Sequence, residues 1–225
     1  MATSTTNLGL TKPSVNDAAD IGVLNSNFDK IDTAVAGKAN SWYGLGELGV
    51  YCSDCNNAQR NGWFCIDTNT ANLPDSGVSG TLFVETRPSS YGVDVYQTIK
   101  SDVTVIRRYY SSWEATWQPW EWVNPPMTLG VEYRTTERWQ GKPVYTMLVD
   151  IGLLPNASSK YTSGVLPAGI YVTSIIGSAF SGYNSVPIQS NGIYVSAQGE
   201  WGTLYISTTS DYSAFTGYVT VKYTK

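Results

Sequence analysis

Ile21, Leu24, Phe28, Ile31 and Val35 follow one another at steps of three and four, the a/d seam by which one helix packs against copies of itself. The seam is narrower than the stripe a helix needs to lie on a globular core. An isolated helix of this length is marginal in water, because nucleation costs more than a few turns return. The pattern therefore predicts a helix over 21–35 that partners order, although a short helix docked on its own domain gives the same periodicity. Ser14-Val-Asn-Asp17 has the S-x-x-D form that caps a helix start, Asp17 and Asp20 suit the dipole there, and Gly37 sits where a stop is expected. Before it, Asn7-Leu-Gly-Leu-Thr-Lys-Pro13 reads as extended, since Pro13 restricts both itself and Lys12. Residues 1–40 are read as an arm for attachment and oligomerisation.

Beyond the arm the period falls from about 3.5 to 2. Thr81–Thr86, Val93–Thr98 and Thr104–Tyr109 alternate as strands do, punctuated by Pro74-Asp-Ser-Gly77, Pro88-Ser-Ser and Tyr91-Gly92. Trp113, Trp117, Trp120 and Trp122 crowd the end of this stretch. A step of two puts Trp120 and Trp122 on one strand face, where they complete a core or form an exposed ledge for sugars. Asn124-Pro125-Pro126 is a stiff break. After it, Asn191-Gly192 is the strongest hairpin signal, flanked by Val186–Ser190 and Ile193–Ala197, because a type I′ turn wants positive φ at both central positions. Trp201–Ser207 and Phe215–Tyr223 are further strands. The expected fold is mainly β: a short N-terminal, coiled-coil-like helix, a small β-rich module over 41–124, and a β-sandwich or jelly-roll head over 127–225.

Composition narrows the chemistry. Only 14% of residues are charged, against roughly 25% in an average soluble protein. The chain carries 16 Tyr, 8 Trp and 21 Gly, as pleated, turn-rich structure requires, and no His. A net charge of −4, with Arg107-Arg108 as the only local basic run, argues against nucleic acid. No apolar run approaches the roughly 20 residues that span a bilayer. The N-terminus lacks a secretory signal, so cytoplasmic synthesis and release by another route are expected. Cys52 and Cys55 form a C-x-x-C pair with Cys65 ten residues on, but a zinc site wants four ligands and finds three Cys and no His. Ordinary buried or half-buried thiols are expected, with no metal and no cofactor.

The opening Asn7-Leu-Gly-Leu-Thr-Lys-Pro13, followed by Ala19–Asp32, resembles the N-terminal segment of tail and baseplate proteins in phages and prophages of Gram-positive bacteria. The stretch from Ser41-Trp-Tyr-Gly-Leu to Trp120-Glu-Trp122, closing on Trp113-Glu-Ala-Thr-Trp117-Gln-Pro-Trp120, is similar to the pyocin-knob module of tail fibres. Gly130–Tyr145 resembles the segment that opens receptor-binding heads in such proteins, and Gly217–Lys225 their final strand. The resemblance implies a tail fibre or receptor-binding protein of a virion, usually a homotrimer. Its residues 1–40 would meet other tail or baseplate proteins, and its head would meet a host cell-surface glycan. The a/d stripe is compatible with three strands without selecting them.

Catalysis is the competing class. Glycoside cleavage needs two carboxylates about 5 to 10 Å apart, and Asp94, Asp102, Glu132, Glu137, Asp150, Glu200 and Asp211 fall in no recognisable motif. Serine and cysteine nucleophiles lack the His that usually serves them. No enzyme is expected; a bridging tail component is the other alternative. The ligand candidates are Tyr183, Asn184, Tyr194, Trp201, Asp211 and Tyr212, in or beside turns of the C-terminal region, where loops on a rigid sheet collect binding residues.

Overall fold

Asp20 starts the helix with its side chain accepting from the Gly22 amide (2.8 Å) and its carbonyl accepting from Leu24 N, the double role of an N-cap. This computed structural model describes residues 3–14, 18, 20–39, 50–74, 78–102 and 104–225. The chain divides into two compact units, residues 1–97 and 98–225. The structure is mainly β, with one α-helix among the described residues.

In the first unit, strands β1 (Thr3–Ser4) and β2 (Thr11–Lys12) pair antiparallel ahead of helix α1 (Ile21–Ala39). The segment expected to be extended is thus a hairpin, closed by a turn in which Thr5 Oγ1 accepts from Leu10 N and Gly9 takes a φ of 60°. Asn27 clamps this hairpin to the helix. Its Oδ1 accepts from Thr11 N (2.9 Å) and its Nδ2 donates to Thr11 O (2.8 Å), while Lys30 Nζ donates to Gly9 O (2.8 Å). The cap is Asp20, six residues past Ser14, because its short carboxylate reaches the Gly22 amide; residues 15–17 of the expected capping segment lie outside the described residues. The helix also runs through Gly37 to Ala39, as a single glycine costs only about 1 kcal/mol in a helix.

A sheet follows in the order β3 (Val50–Tyr51), β4 (Gly62–Ile66), β5 (Gly80–Ser89), β6 (Gly92–Lys100). Phe64, Ile66, Leu82, Val84 and Val95 are buried on its inner face. Between β3 and β4, Asp54 caps a single 3-10 turn at Cys55–Asn57. Buried Gln97 satisfies the carbonyls of Cys55 (2.6 Å) and Ala58 (2.9 Å). Cys52 and Cys55 are buried and Cys65 is exposed. β5 runs straight through Pro88, one of the expected turns, while 75–77 and the 41–49 opening of the expected middle module lie outside the described residues.

The second unit continues with β7 (Val105–Ser111), β8 (Thr116–Trp117), β9 (Glu121–Trp122), β10 (Glu132–Trp139), β11 (Lys142–Leu153), β12 (Ser159–Thr162), β13 (Tyr171–Ser181), β14 (Asn184–Pro187), β15 (Ile193–Gln198), β16 (Thr203–Thr208) and β17 (Thr216–Thr224). One sheet runs β14-β13-β17-β11-β10-β9-β7, and β12-β16-β15 form another. Their inward residues share one core: Val149, Ile151, Ala179, Val219, Val221 and Tyr223 from the first, Ile193, Val195, Leu204 and Ile206 from the second. Asn191 (φ 51°) and Gly192 (φ 77°) form the expected turn, with Ile193 N bonded to Ser190 O (2.9 Å). The strands either side do not pair with each other, however. β14 pairs with β13 and β15 with β16, so the turn carries the chain from one sheet to the other. Gln189, itself at φ 69°, breaks the run just before the turn and prevents a continuous hairpin.

Candidate functional site

The period-2 alternation of β15 and β16 sends Ile193, Val195, Leu204 and Ile206 inward, so the residues between them face out. Register then places Tyr194 opposite Ser207, Ser196 opposite Tyr205, Tyr161 opposite Tyr205 and Ser159 opposite Ser207. Tyr161 and Tyr205 lie 5.0 Å apart at 50°, and Tyr194 is the diagonal neighbour of Tyr205. Tyr161 and Tyr194 are exposed. Gln198 continues the outer face toward the Gly199–Gly202 turn, opposite a buried Thr203. The outward, accessible positions of the three strands therefore carry Tyr, Ser and Gln and no charge. Lys160, the one cation on β12, points inward and donates to the carbonyls of Ile151 and Leu153; burial lowers its pKa, against the pull of Asp150.

The six sequence candidates do not form one site. Tyr194 is on this face. Trp201 is exposed in the turn at its far end, a six-residue strand and so roughly 20 Å from the Asn191-Gly192 end. Tyr183 is fully exposed in the two-residue β13–β14 turn, with Asn184 beside it opening β14. Asp211 accepts from the Ser213 hydroxyl (2.7 Å) and amide (2.9 Å), which hold its carboxyl below the usual range. Tyr212 is a loop anchor: its ring meets Phe215 edge-on and its hydroxyl donates to Asn191 O (2.7 Å). Tyr161 and Tyr205 were missed. The signal for Tyr205 was in the sequence, since a residue between Leu204 and Ile206 in an alternating strand faces out.

In the tryptophan run Trp113 is exposed and the other three make ring contacts. Trp117 and Trp120 grip the buried Arg108 guanidinium at 4.0 and 4.3 Å, and Trp122 meets Tyr133 edge-on at 5.3 Å. Of the carboxylates weighed for catalysis, Asp94 pairs with Arg87, Glu137 with Lys222 and Glu132 with Lys225, and Asp150 accepts from Gly152 N. Among the described residues no group of three or more His, Cys, Asp or Glu stands together to hold a metal. No helix of the described residues is long and apolar enough to cross a membrane.

No protein-family profile and no curated protein sequence matches the chain. Among solved structures the chain is similar to pyocin tail fibres. An N-truncated R2-type pyocin tail fibre matches at 12% identity and a TM-score of 0.27, over 76% of this chain and 94% of that one. The C-terminal part of the P. aeruginosa R2 pyocin fibre matches at 11% identity and a TM-score of 0.29, over 81% and 68%. The corresponding part of the R1 fibre matches at 13% and 0.26, over 77% and 66%.

Proposed function

We propose that the chain is a tail-fibre or receptor-binding protein of a phage, prophage or tailocin of Gram-positive bacteria, and that its C-terminal head adsorbs to an uncharged cell-surface glycan. The observation that carries this reading is the charge-free face of Tyr161, Tyr194 and Tyr205 with its interleaved Ser159, Ser196 and Ser207. Tyrosine rings offer broad apolar surface at low entropic cost, and hydroxyls at their margins exchange hydrogen bonds with a sugar. In this reading residues 1–40 attach to tail or baseplate proteins and self-associate as a trimer, 41–124 form a pyocin-knob-like module, and 127–225 form a sandwich head. The protein binds and does not catalyse, and its place is the virion.

Support for assembly comes from α1. Ile21, Leu24, Phe28, Ile31 and Val35 are all exposed. The N-terminal hairpin lies elsewhere on the helix, with Leu8 over a groove lined by Ser26, Lys30 and Thr33. At about 100° per residue that face is turned well away from the stripe, which is left for other copies.

The test is the solution mass by light scattering, followed by staining of candidate bacterial cells with a fluorescent copy. A trimer that decorates one strain, and whose decoration is lost in Tyr161→Ala/Tyr205→Ala with the fold intact, is expected. Unchanged decoration by that variant removes the face as the site. A monomer that stains no strain favours a bridging component of the tail.

A further inference from the structure

On the first unit, Trp63 of β4 and Phe83 of β5 stand directly opposite each other with ring centroids 4.5 Å apart and planes at 38°. Their neighbours Phe64, Leu82 and Val84 are buried, so this pair lies on the outer face, with Trp63 45% exposed. Asn61 and Glu85 stand two residues further along the same face. Asn61 Oδ1 accepts from the Thr86 amide (2.6 Å) and hydroxyl (2.9 Å), which fixes the orientation of its carboxamide. Among the described residues nothing accepts from Asn61 Nδ2, and Glu85 has no ion-pair or hydrogen-bond partner. The four side chains line an open cleft of about 520 Å³, in the size range of small-molecule sites.

We infer that this cleft is a second binding site, for one uncharged pyranose ring, separate from the tyrosine face of the head. Trp63 supplies the flat apolar wall, Glu85 accepts from vicinal hydroxyls, and Asn61 Nδ2 donates to a ring or hydroxyl oxygen. Other ligand classes fit worse. An ammonium group wants aromatic faces on several sides, and two rings tilted by 38° make a single wall. An added peptide strand docks in the sheet plane at a free edge, whereas this cleft lies on the outer face over the paired strands β4 and β5. A phosphate-bearing ligand would meet the Glu85 carboxylate with no basic side chain lining the cleft.

The full-length protein labelled with fluorotryptophan tests this by fluorine NMR, with the Trp63 resonance assigned from Trp63→Phe. Methyl β-glucopyranoside, methyl β-galactopyranoside and N-acetylglucosamine are titrated separately into the tens of millimolar, with choline chloride as the cationic counter-probe. The expected result is a saturable movement of the Trp63 resonance with at least one sugar. Glu85→Gln should weaken it roughly tenfold, as loss of a charge-assisted hydrogen bond implies, and the Tyr161→Ala/Tyr205→Ala variant should leave it unchanged. A Trp63 resonance that no sugar moves, that choline alone moves, or whose response is the same in a folded Glu85→Gln protein overturns the inference. The reading of the head stands or falls separately, on cell staining.

Discussion

Tyr223 on β17 donates its hydroxyl to the carboxylate of Glu132 at the start of β10, reaching across β11, which lies between them. The Tyr223 side chain is fully buried, its ring stacks with Tyr145 at 6.0 Å and 13°, and Lys225 adds a second bond to Glu132 at 2.6 Å while lying 4.5 Å over the Tyr145 ring. The last strand of the chain is thereby tied to residues 91 positions earlier.

Tyr223→Phe keeps the ring and removes the donor from a carboxylate. Glu132 retains Lys225, so a loss of about 1–2 kcal/mol is expected, read as a lower urea midpoint with the slope unchanged. The pH response has a definite sign. Burial, then the Glu132 contact, raises the Tyr223 pKa above its ordinary value near 10. A raised pKa contributes stability that is complete below the unfolded value and is lost as pH climbs above it. The wild-type protein should therefore lose stability above about pH 10 more steeply than Tyr223→Phe. Parallel slopes for the two proteins would count against the assignment.

Phe28→Asp tests the arm. Phe28 is 58% exposed in the single chain, so an aspartate there is hydrated at little cost as long as the chain is alone. In an assembled seam the same carboxylate would be stripped of water. Light scattering should show the assembly mass fall to that of one chain, with the β-rich circular dichroism and melting of the two units retained. An unchanged mass would mean that the stripe is not the contact.

Much of this fold was legible because alternation and heptad spacing are local. Ile21 does open the helix, and 81–86, 93–98 and 105–109 do lie in β5, β6 and β7. The conformation of Asn191-Gly192 was legible too, since positive φ at both positions is a property of those residues. Which strands the turn joins was not, because Ala179 and Leu204 decide it through pairings with Val186 and Ala197. The hairpin over α1 depends on a clamp between Thr11 and Asn27, sixteen residues apart. Neither period-2 nor period-3.6 patterning carries such a contact. The outward tyrosines were half legible: Tyr205 follows from its neighbours, whereas Tyr161 sits in a four-residue strand too short to show alternation.

Gly177→Ala probes the central pairing of the second unit. Gly177 lies opposite Val219 between β13 and β17, and a Cβ there would stand 2.1 Å from the Tyr218 carbonyl oxygen. That neighbour is backbone inside a paired strand, so a rotamer change cannot relieve the clash. A loss at the upper end of the roughly 1–3 kcal/mol typical of overpacking is expected, measurable as a lower melting temperature. A melting temperature within a degree or so of wild type would show that the two strands can part there freely.

The final prediction separates the two groups of aromatic residues by what each sustains. Trp117 and Trp120 enclose Arg108, whose side chain is buried among them. Replacing Trp120 by Ala opens one side of this cation and removes ring packing, so a loss of about 1–3 kcal/mol is expected from the cation–π contact and burial together. Cell staining at a temperature where the variant is folded should be unchanged. Tyr205→Ala should do the reverse: Tyr205 is only half-buried on an outer face, so stability should shift little while staining falls. Staining lost in Trp120→Ala and kept in Tyr205→Ala would move the sugar contact from the tyrosine face to the tryptophan cluster.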